Sequence, residues 1–375
     1  MKFFLPFWFS DHVYSTYRPF DPNWSPSKDS RRFVWQLPWP RLPVDGILLS
    51  RINIQNIKSD RFDQGVYHAL ALPSWLPTFG DCGAWGYIKE KQPPFEPAET
   101  LEFYRKMRFT YACTIDHIIF PETFSERFER LDITLRNAKE MITRWNSDRE
   151  YYNFQLVGVV QGWDPESYFE SAKEILDLGF DYVALGGQSR APSKFTIDVL
   201  RRCHPLWDEK PTKVHIFGLA RRNLLDSFSR YGVSSFDNAY HRRAWLSVSD
   251  NYQLGDTTYT AVRIPIAKDN DKKHLESRIL QHLRGVEENT ISPAEFLAEL
   301  VEYDSDRAKM LLGRYERTLV DRPWEKCDCI ICRELGIHVI VFRSNERNMR
   351  RGFHNLWDLH KRLRHYSEPE LQQLS

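Results

Sequence analysis

Asp237 closes the apolar run Val233–Phe236 within the stretch GVSSFDNAYHRRAW, and Tyr240, His241, Arg242 and Arg243 follow directly. An acid at the carboxyl end of a barrel strand, with guanidinium groups just beyond it, suits carboxylate chemistry on a phosphate-bearing substrate. Asp81, in FGDCGAWGY, ends a second apolar run, and Gly83 and Gly86 leave the backbone there open to a ligand. Asp116, in TIDHIIFP, lies near the end of a third. Gln161, in VGVVQGW, adds a side-chain amide that both donates and accepts, and Gly186 and Gly187, in VALGGQS, offer bare backbone N–H groups. Taken singly, each of these is an ordinary cap or turn residue. Together, three acids, an amide and a glycine pair on one barrel rim suit a flat heterocycle with a donor and an acceptor edge, plus a carboxylate for covalent work.

A second constellation is Cys-x-Cys-x2-Cys at Cys327, Cys329 and Cys332. Thiolates this close share one soft ion with little backbone strain, and zinc takes four such ligands in a tetrahedron. The fourth ligand must come from elsewhere, and His338, His354, His360 and His365 follow; His354, on an apparent helix in GFHNLWDL, is the choice made here. Three cysteines and a histidine leave no open position, so the expected Zn2+ is structural. The rival reading is three clustered core cysteines. Cys82, Cys113 and Cys203 are scattered, which does not resemble a secreted disulfide framework.

The elements that would carry these residues alternate. Short apolar runs at Ile47–Ile54, Leu76–Gly80, Tyr111–Ile119, Phe154–Gln161, Tyr182–Gly186, Lys213–Leu219 and Val233–Phe236 read as strands. Ala98–Arg108, Glu122–Trp145, Pro165–Leu178, Lys194–Cys203 and Arg222–Tyr231 read as helices between them. Alternation of this kind predicts an α/β fold, a TIM (β/α)8 barrel, with an eighth strand expected near Thr257–Pro265. The predicted organisation is an aromatic and Pro-rich N-terminal cap over 1–45, a barrel core over 46–265, and a helical insertion, zinc-binding subdomain and basic C-terminal helix over 266–375. In the cap, Phe20, Trp24, Trp35 and Trp39 stand among Pro19, Pro22, Pro38 and Pro40, either as a packed loop closing one barrel end or as a rim that stacks bases. The tail Val339–His365 places Phe353, Leu356, Trp357 and Leu363 at helical spacing, with a basic outer face that is either solvated or bound to phosphates.

Composition sets the outer bounds. The 375 residues are 42% hydrophobic and 27% charged, with a formal net charge of +1, which suits one large α/β domain with appendages or two domains. Near neutrality leaves room for a local basic face. The short apolar run of MKFFLPFWFSD is interrupted by Pro6 and Asp11 and precedes no small-residue cleavage site, so no signal peptide is expected. No run reaches membrane-spanning length, and the expected setting is the cytoplasm.

The motifs FGDCGAWGY, TIDHIIFP, VGVVQGW with SAKEILDLGFDYVALGGQS, HIFGLA, SSFDNA, and CDCIIC with HN downstream resemble, in this order, the guanine transglycosylase superfamily. The resemblance implies a TIM barrel with a structural zinc site that exchanges guanine in a nucleic acid for a 7-deazaguanine base. It implies that Asp237 is the nucleophile at the sugar anomeric carbon and Asp81 the general acid/base. Asp116 would hold the N1/N2 edge of the purine, Gln161 and the Gly187 N–H, beside Gly186, would take the O6 side, and Trp85 and Phe217 would sandwich the ring. Cys327, Cys329, Cys332 and His354 would bind zinc, and Arg221, Arg222, Arg242 and Arg243 would hold flanking phosphates.

The sequence also departs from the family pattern. Cys82 stands where a serine is usual, Gln188 where an apolar residue is usual, and the arginines after Asp237 do not follow the tRNA-enzyme arrangement. The segment before the zinc motif is enlarged, and the cysteine-to-histidine spacing is shorter. These traits resemble the DNA-acting branch, which installs 7-deazaguanines such as preQ0 in DNA beside partner proteins of a modification system; tRNA is the alternative substrate. Two other classes stand beside this one. The basic tail suits a non-catalytic, zinc-stapled nucleic-acid-binding protein, and the cysteine cluster suits a barrel hydrolase with catalytic zinc.

Overall fold

The computed structural model describes residues 1–19, 24–55, 57, 60–219, 221–266 and 270–367; Phe20 and Pro22 of the aromatic segment lie outside them. A parallel barrel strand is covered on both faces and so is apolar throughout. Eight short, mostly buried segments form the barrel: β1 Lys2–Pro6, β2 Gly46–Ser50, β3 Thr78–Asp81, β4 Tyr111–Cys113, β5 Gln155–Val160, β6 Tyr182–Leu185, β7 Lys213–Ile216 and β8 Ser235–Asp237. They close in the order β1-β8-β7-β6-β5-β4-β3-β2, with every pairing parallel. Aromatic rings fill the interior: Phe4 packs edge-on to Phe79 at 5.6 Å, and Tyr111 to Tyr182 at 5.5 Å.

The eighth strand is therefore Lys2–Pro6 and not part of Thr257–Pro265. Phe3, Phe4 and Leu5 are buried, and Phe4 is in register with Asp237 on one side and Gly46 on the other. Nothing local marks this run as a barrel strand, because its partners are distant in sequence. Thr257–Tyr259 pairs antiparallel with Tyr252–Leu254, and Val262–Arg263 pairs with Val341–Phe342, each in a separate small sheet. Met1–Trp8 and Val44–Ala239 belong to the barrel unit, while Phe9–Pro43 and Tyr240–His365 form a second unit. The expected boundaries at 45 and 265 move accordingly.

Helices α1 Pro97–Met107, α2 Arg127–Ser147, α3 Pro165–Asp177, α4 Ser193–Asp208 and α5 Leu225–Arg230 follow β3 to β7 in turn. Asp164 caps α3, accepting from the Ser167 N–H at 2.7 Å while Ser167 Oγ accepts from the Asp164 N–H at 3.0 Å. Three strands end well before their apolar runs, β7 at Ile216 among them. β2 stops at Ser50, where Arg51–Gln55 turns helical, and β4 stops at Cys113, leaving Asp116 on an extended loop. Side chains of α2 secure that loop: Thr134 Oγ1 accepts from the His117 N–H at 3.0 Å, and Arg130 reaches the Ile118 carbonyl at 3.1 Å and His117 Nδ1 at 2.8 Å.

The second unit contains α6 Asn270–Glu287, α7 Pro293–Tyr303, α8 Ser305–Asp321, α9 Ile330–Leu335 and α10 Asn345–Ser367. The basic outer face expected of the last of these is confined to its final turns: residues 346–360 are all buried, and Lys361, Arg362, Arg364 and His365 are half-buried or exposed. Arg351, fully enclosed, donates to the Val339 and Val341 carbonyls at 3.1 and 3.0 Å; Arg350 pairs with Glu346 at 2.8 Å and donates to the Tyr14 carbonyl at 2.8 Å. These guanidinium groups satisfy backbone carbonyls in a core and are not displayed to phosphates. Of the aromatic cap residues, Trp35 is buried and stacked on Phe33 at 4.9 Å, while the half-buried Trp24 and Trp39 pack on Tyr17 at 4.9 Å and on Trp357 at 5.6 Å, as in a packed segment. Among the described residues no helix is long and apolar enough to cross a membrane.

Candidate active site

The carboxyl ends of the barrel strands surround a cavity of about 560 Å3, lined among others by Asp81, Trp85, Asp116, Gln161, Gly186, Gly187, Phe217 and Asp237. All eight expected catalytic and base-binding residues thus converge on one space, each from the last residue of its strand or the loop just after it. Asp81 and Asp237 share one mouth, close enough for the Asp237 charge to act on Asp81.

Asp237 ends β8. Its Oδ1 accepts from the Gly218 N–H at 2.9 Å and lies 3.2 Å from His215 Nε2. Asp81 ends β3, where strand register sets it opposite Ser50, and Ser50 Oγ donates to its Oδ2 at 2.7 Å. Burial pushes the Asp81 carboxyl above its ordinary value, opposed by hydrogen bonds from Ser50 and the Gly83 N–H and reinforced by Asp237. Such an acid keeps its proton longer than an exposed one and is able to donate it.

Asp116 and Gln161 form one wall. Gln161 Nε2 donates to Asp116 Oδ2 at 2.5 Å, Cys82 Sγ donates to Oδ1 at 3.1 Å, and the Tyr87 hydroxyl donates to the Asp116 carbonyl at 2.9 Å. Burial raises Asp116 to about 6 despite these donors. The Cys82 thiol is raised by the same desolvation and stays an S–H donor. Gln161 Oε1 is buried and, among the described residues, has no hydrogen-bond partner, an acceptor on a side chain that lines the cavity.

The glycine pair is required by space and by conformation. A Cβ on Gly186 would stand 2.1 Å from Gln161 Nε2; Gly187 has φ +71°, and its Cβ would stand 2.8 Å from Tyr168 Oη. Gln188 does not line the cavity: it is buried, and its Oε1 accepts from Thr196 Oγ1 at 3.0 Å. The departure from the family pattern at this position therefore falls outside the cavity lining. Trp85 packs on Phe120 at 5.0 Å beneath the Arg190 guanidinium, and Phe217 packs on His215 at 4.8 Å.

The four arginines divide between the units. Arg221 and Arg222 follow β7 in the barrel unit, where Arg221 donates to Ser193 Oγ at 3.2 Å. Arg242 and Arg243 belong to the second unit; Arg242 is paired at 3.1 Å with the buried Asp11, which also lies 2.8 Å from His241 Nε2, while Arg243 is exposed. Sequence reasoning missed the Asp237 neighbour His215. Its signal was a polar residue at an inward position of the strand KVHI, two before Phe217.

In the second unit, Cys327, Cys329 and Cys332 place their sulfurs 3.4, 3.5 and 3.3 Å from His354 Nδ1, all four residues being buried. His354 Nε2 lies 2.7 Å from the Gln253 carbonyl, which can only accept, so the Nδ1 lone pair faces the sulfurs. Tyr252 stacks on the imidazole at 3.9 Å. The donor set and its supporting hydrogen bond fit a four-coordinate metal ion with no open position.

Two carboxylates on one barrel mouth, beside an acid–amide wall, suit the class of enzymes that work at a glycosidic carbon with a carboxylate pair. The family model described as queuine tRNA-ribosyltransferase matches residues 87–361. The chain is also 32% identical, over 366 residues, to a DNA-guanine transglycosylase of Salmonella montevideo, covering 86% of this chain and 87% of that relative. The chain belongs to the queuine tRNA-ribosyltransferase family and is a guanine transglycosylase, a pentosyltransferase. Asp81 and Trp85 precede the matched span, whereas Asp116, Gln161, Asp237 and the cysteine cluster lie within it.

Proposed function

We propose that this guanine transglycosylase acts on DNA, replacing guanine with a 7-deazaguanine base of the preQ0 kind through a covalent Asp237–nucleic acid intermediate. The observation that carries the proposal is the placing of Asp81 and Asp237 on one cavity with the Asp116–Gln161 wall. The near full-length likeness to a DNA-guanine transglycosylase supports DNA over tRNA. In this reading Asp237 Oδ2 attacks the anomeric carbon as the bond to guanine breaks. The bond's electron pair leaves on guanine, which takes the Asp81 proton. The incoming base then gives its ring proton to Asp81 and attacks the same carbon, and the ester electron pair returns to Asp237. Two inversions give net retention.

Asp116 accepts from the N1/N2 edge of the purine, Gln161 and the Gly187 N–H serve the O6 side, and Trp85 and Phe217 hold the ring. A target inside a duplex must be flipped out, at a cost of about a few kcal/mol. Arg221, Arg222 and Arg243 are the proposed phosphate contacts; the pairing of Arg242 with Asp11 makes it the weakest of the four. Zinc held by Cys327, Cys329, Cys332 and His354 would brace the second unit and take no part in the chemistry. Six free cysteines suit the reducing cytoplasm.

The test is incubation with labelled guanine and either plasmid DNA or tRNA. Label is expected in DNA, and Asp237→Asn is expected to release no guanine and to form no covalent adduct. Label in tRNA alone would move the substrate, and an adduct that persists in Asp237→Asn would remove Asp237 as nucleophile.

A further inference from the structure

The barrel interior below the cavity is aromatic, and one polar ring interrupts it. His215 on β7 is fully buried, 4.8 Å from the Phe79 ring, 4.8 Å from Phe217 and 6.0 Å from Phe4. A polar side chain in such surroundings is costly unless its nitrogens are satisfied, and both are. Nε2 lies 3.2 Å from Asp237 Oδ1, and Nδ1 lies 2.7 Å from Ser235 Oγ, which lies 2.6 Å from Tyr182 Oη. Ser235 and Tyr182 are 1% and 2% exposed, so bulk water does not compete for these bonds.

The direction of the chain follows from its end. A carboxylate only accepts, so Nε2 carries the hydrogen. Nδ1 then takes the Ser235 hydrogen, and Ser235 takes that of Tyr182. Burial holds the Tyr182 phenol above its ordinary range, so it remains a donor.

We propose that His215 is a positioning residue for the nucleophile: with the Gly218 N–H it holds Asp237 Oδ1, while Ser235 and Tyr182 fix the ring in the tautomer that can do so. The inference rests on Asp237 being the attacking acid. With Oδ1 taken by two donors, and no protein partner on Oδ2 among the described residues, the attacking oxygen is selected. Once Oδ2 bonds to the anomeric carbon, Oδ1 is the ester carbonyl oxygen. When the second base attacks, the C–O bond breaks and its electron pair returns to the carboxylate, where the same donors receive the developing charge. His215 therefore acts most on resolution of the intermediate.

The experiment compares guanine exchange and adduct lifetime in His215→Phe, His215→Gln, Ser235→Ala and Asp237→Asn. Loss of one hydrogen bond to a charged group corresponds to a fall of about 10- to 100-fold. That fall is expected in kcat for His215→Phe, with KM for the nucleic acid unchanged and the adduct breaking down proportionately more slowly. His215→Gln, which restores an N–H, is expected to recover most of kcat. A packing role predicts the reverse order, because Phe fills an aromatic core better than Gln. Wild-type kcat and adduct lifetime in His215→Phe would overturn the proposal. If His215→Phe shows no cooperative thermal unfolding, Ser235→Ala decides instead: a several-fold fall in kcat supports the relay, and an unchanged kcat overturns it. Exchange surviving in Asp237→Asn would sink the nucleophile reading itself; a dead Asp237→Asn beside a fully active His215→Phe would sink this inference alone.

Discussion

Asp116 gives the sharpest pH prediction. The proposed base contact needs its carboxylate, because the N1/N2 edge of guanine presents only donors, and a protonated acid would set a hydrogen against them. Burial raises this group to about 6 in the empty cavity. When only the ionised form binds, Kd scales as one plus ten to the power of the pKa less the pH. That factor is about 1.1 at pH 7 and about 11 at pH 5, a weakening of about tenfold, or about 1.4 kcal/mol. The sign follows the raised value: affinity is full above it and is lost as pH falls through it. Equilibrium dialysis of labelled guanine against the enzyme without nucleic acid measures this directly. Asp116→Asn should bind about 10- to 100-fold more weakly at pH 7 and lose most of the slope, and any remainder would report Asp81, which burial also raises. A flat wild-type affinity between pH 5 and 7, or an undiminished slope in Asp116→Asn, would refute the assignment of Asp116 to the purine edge.

Two further outcomes are expected. Gly186→Ala should displace the Gln161 amide, whose Nε2 would stand 2.1 Å from the new Cβ, and so weaken guanine binding about tenfold or more; dialysis checks it, and wild-type affinity would show the wall to be more pliant than its packing implies. Cys327→Ser should lower bound zinc, measured by elemental analysis, and lower the thermal midpoint, because a buried four-ligand site contributes its binding energy to folding; loss of turnover on mild chelation with unchanged unfolding would instead make the metal catalytic.

The barrel was legible because seven of its strands are short, largely apolar runs, and five of them, β3 to β7, are each followed by a helix of the outer layer. β1 lacks that following helix. Its neighbours β8 and β2 are far away in sequence, and only the register of Phe4 with Asp237 and Gly46 identifies it. The C-terminal helix misled for a related reason. Arginine at helical spacing reads as an outer face, yet Arg350 and Arg351 point inward to carbonyls from distant segments, which a local pattern does not reveal. With most of that face buried, the feature that motivated the non-catalytic nucleic-acid-binding reading shrinks to the last turns of the helix. The site was more legible than the fold because its residues sit at strand ends, where closure of any such barrel brings them together. His215 escaped notice because an inward histidine on a strand carries no motif.

Three acids around one cavity would be redundant if their oxygens were equally available, and they are not. Asp237 offers one oxygen to donors and, among the described residues, leaves the other without a protein partner, as the proposed nucleophile requires. Asp81 is held by Ser50 and Gly83 and raised by burial, as a proton donor requires. Asp116 has both oxygens engaged, by Cys82 and Gln161, while Gln161 keeps a buried, unpartnered Oε1. A purine edge reaching Asp116 must therefore share or displace the Gln161 donor, and the freed amide can turn to the O6 side. A guanine edge would thus exchange the Gln161–Asp116 bond for its own. On the proposed function, a base without N–H groups on that edge would offer nothing in exchange for the bond it would break, and the wall would select guanine-like rings.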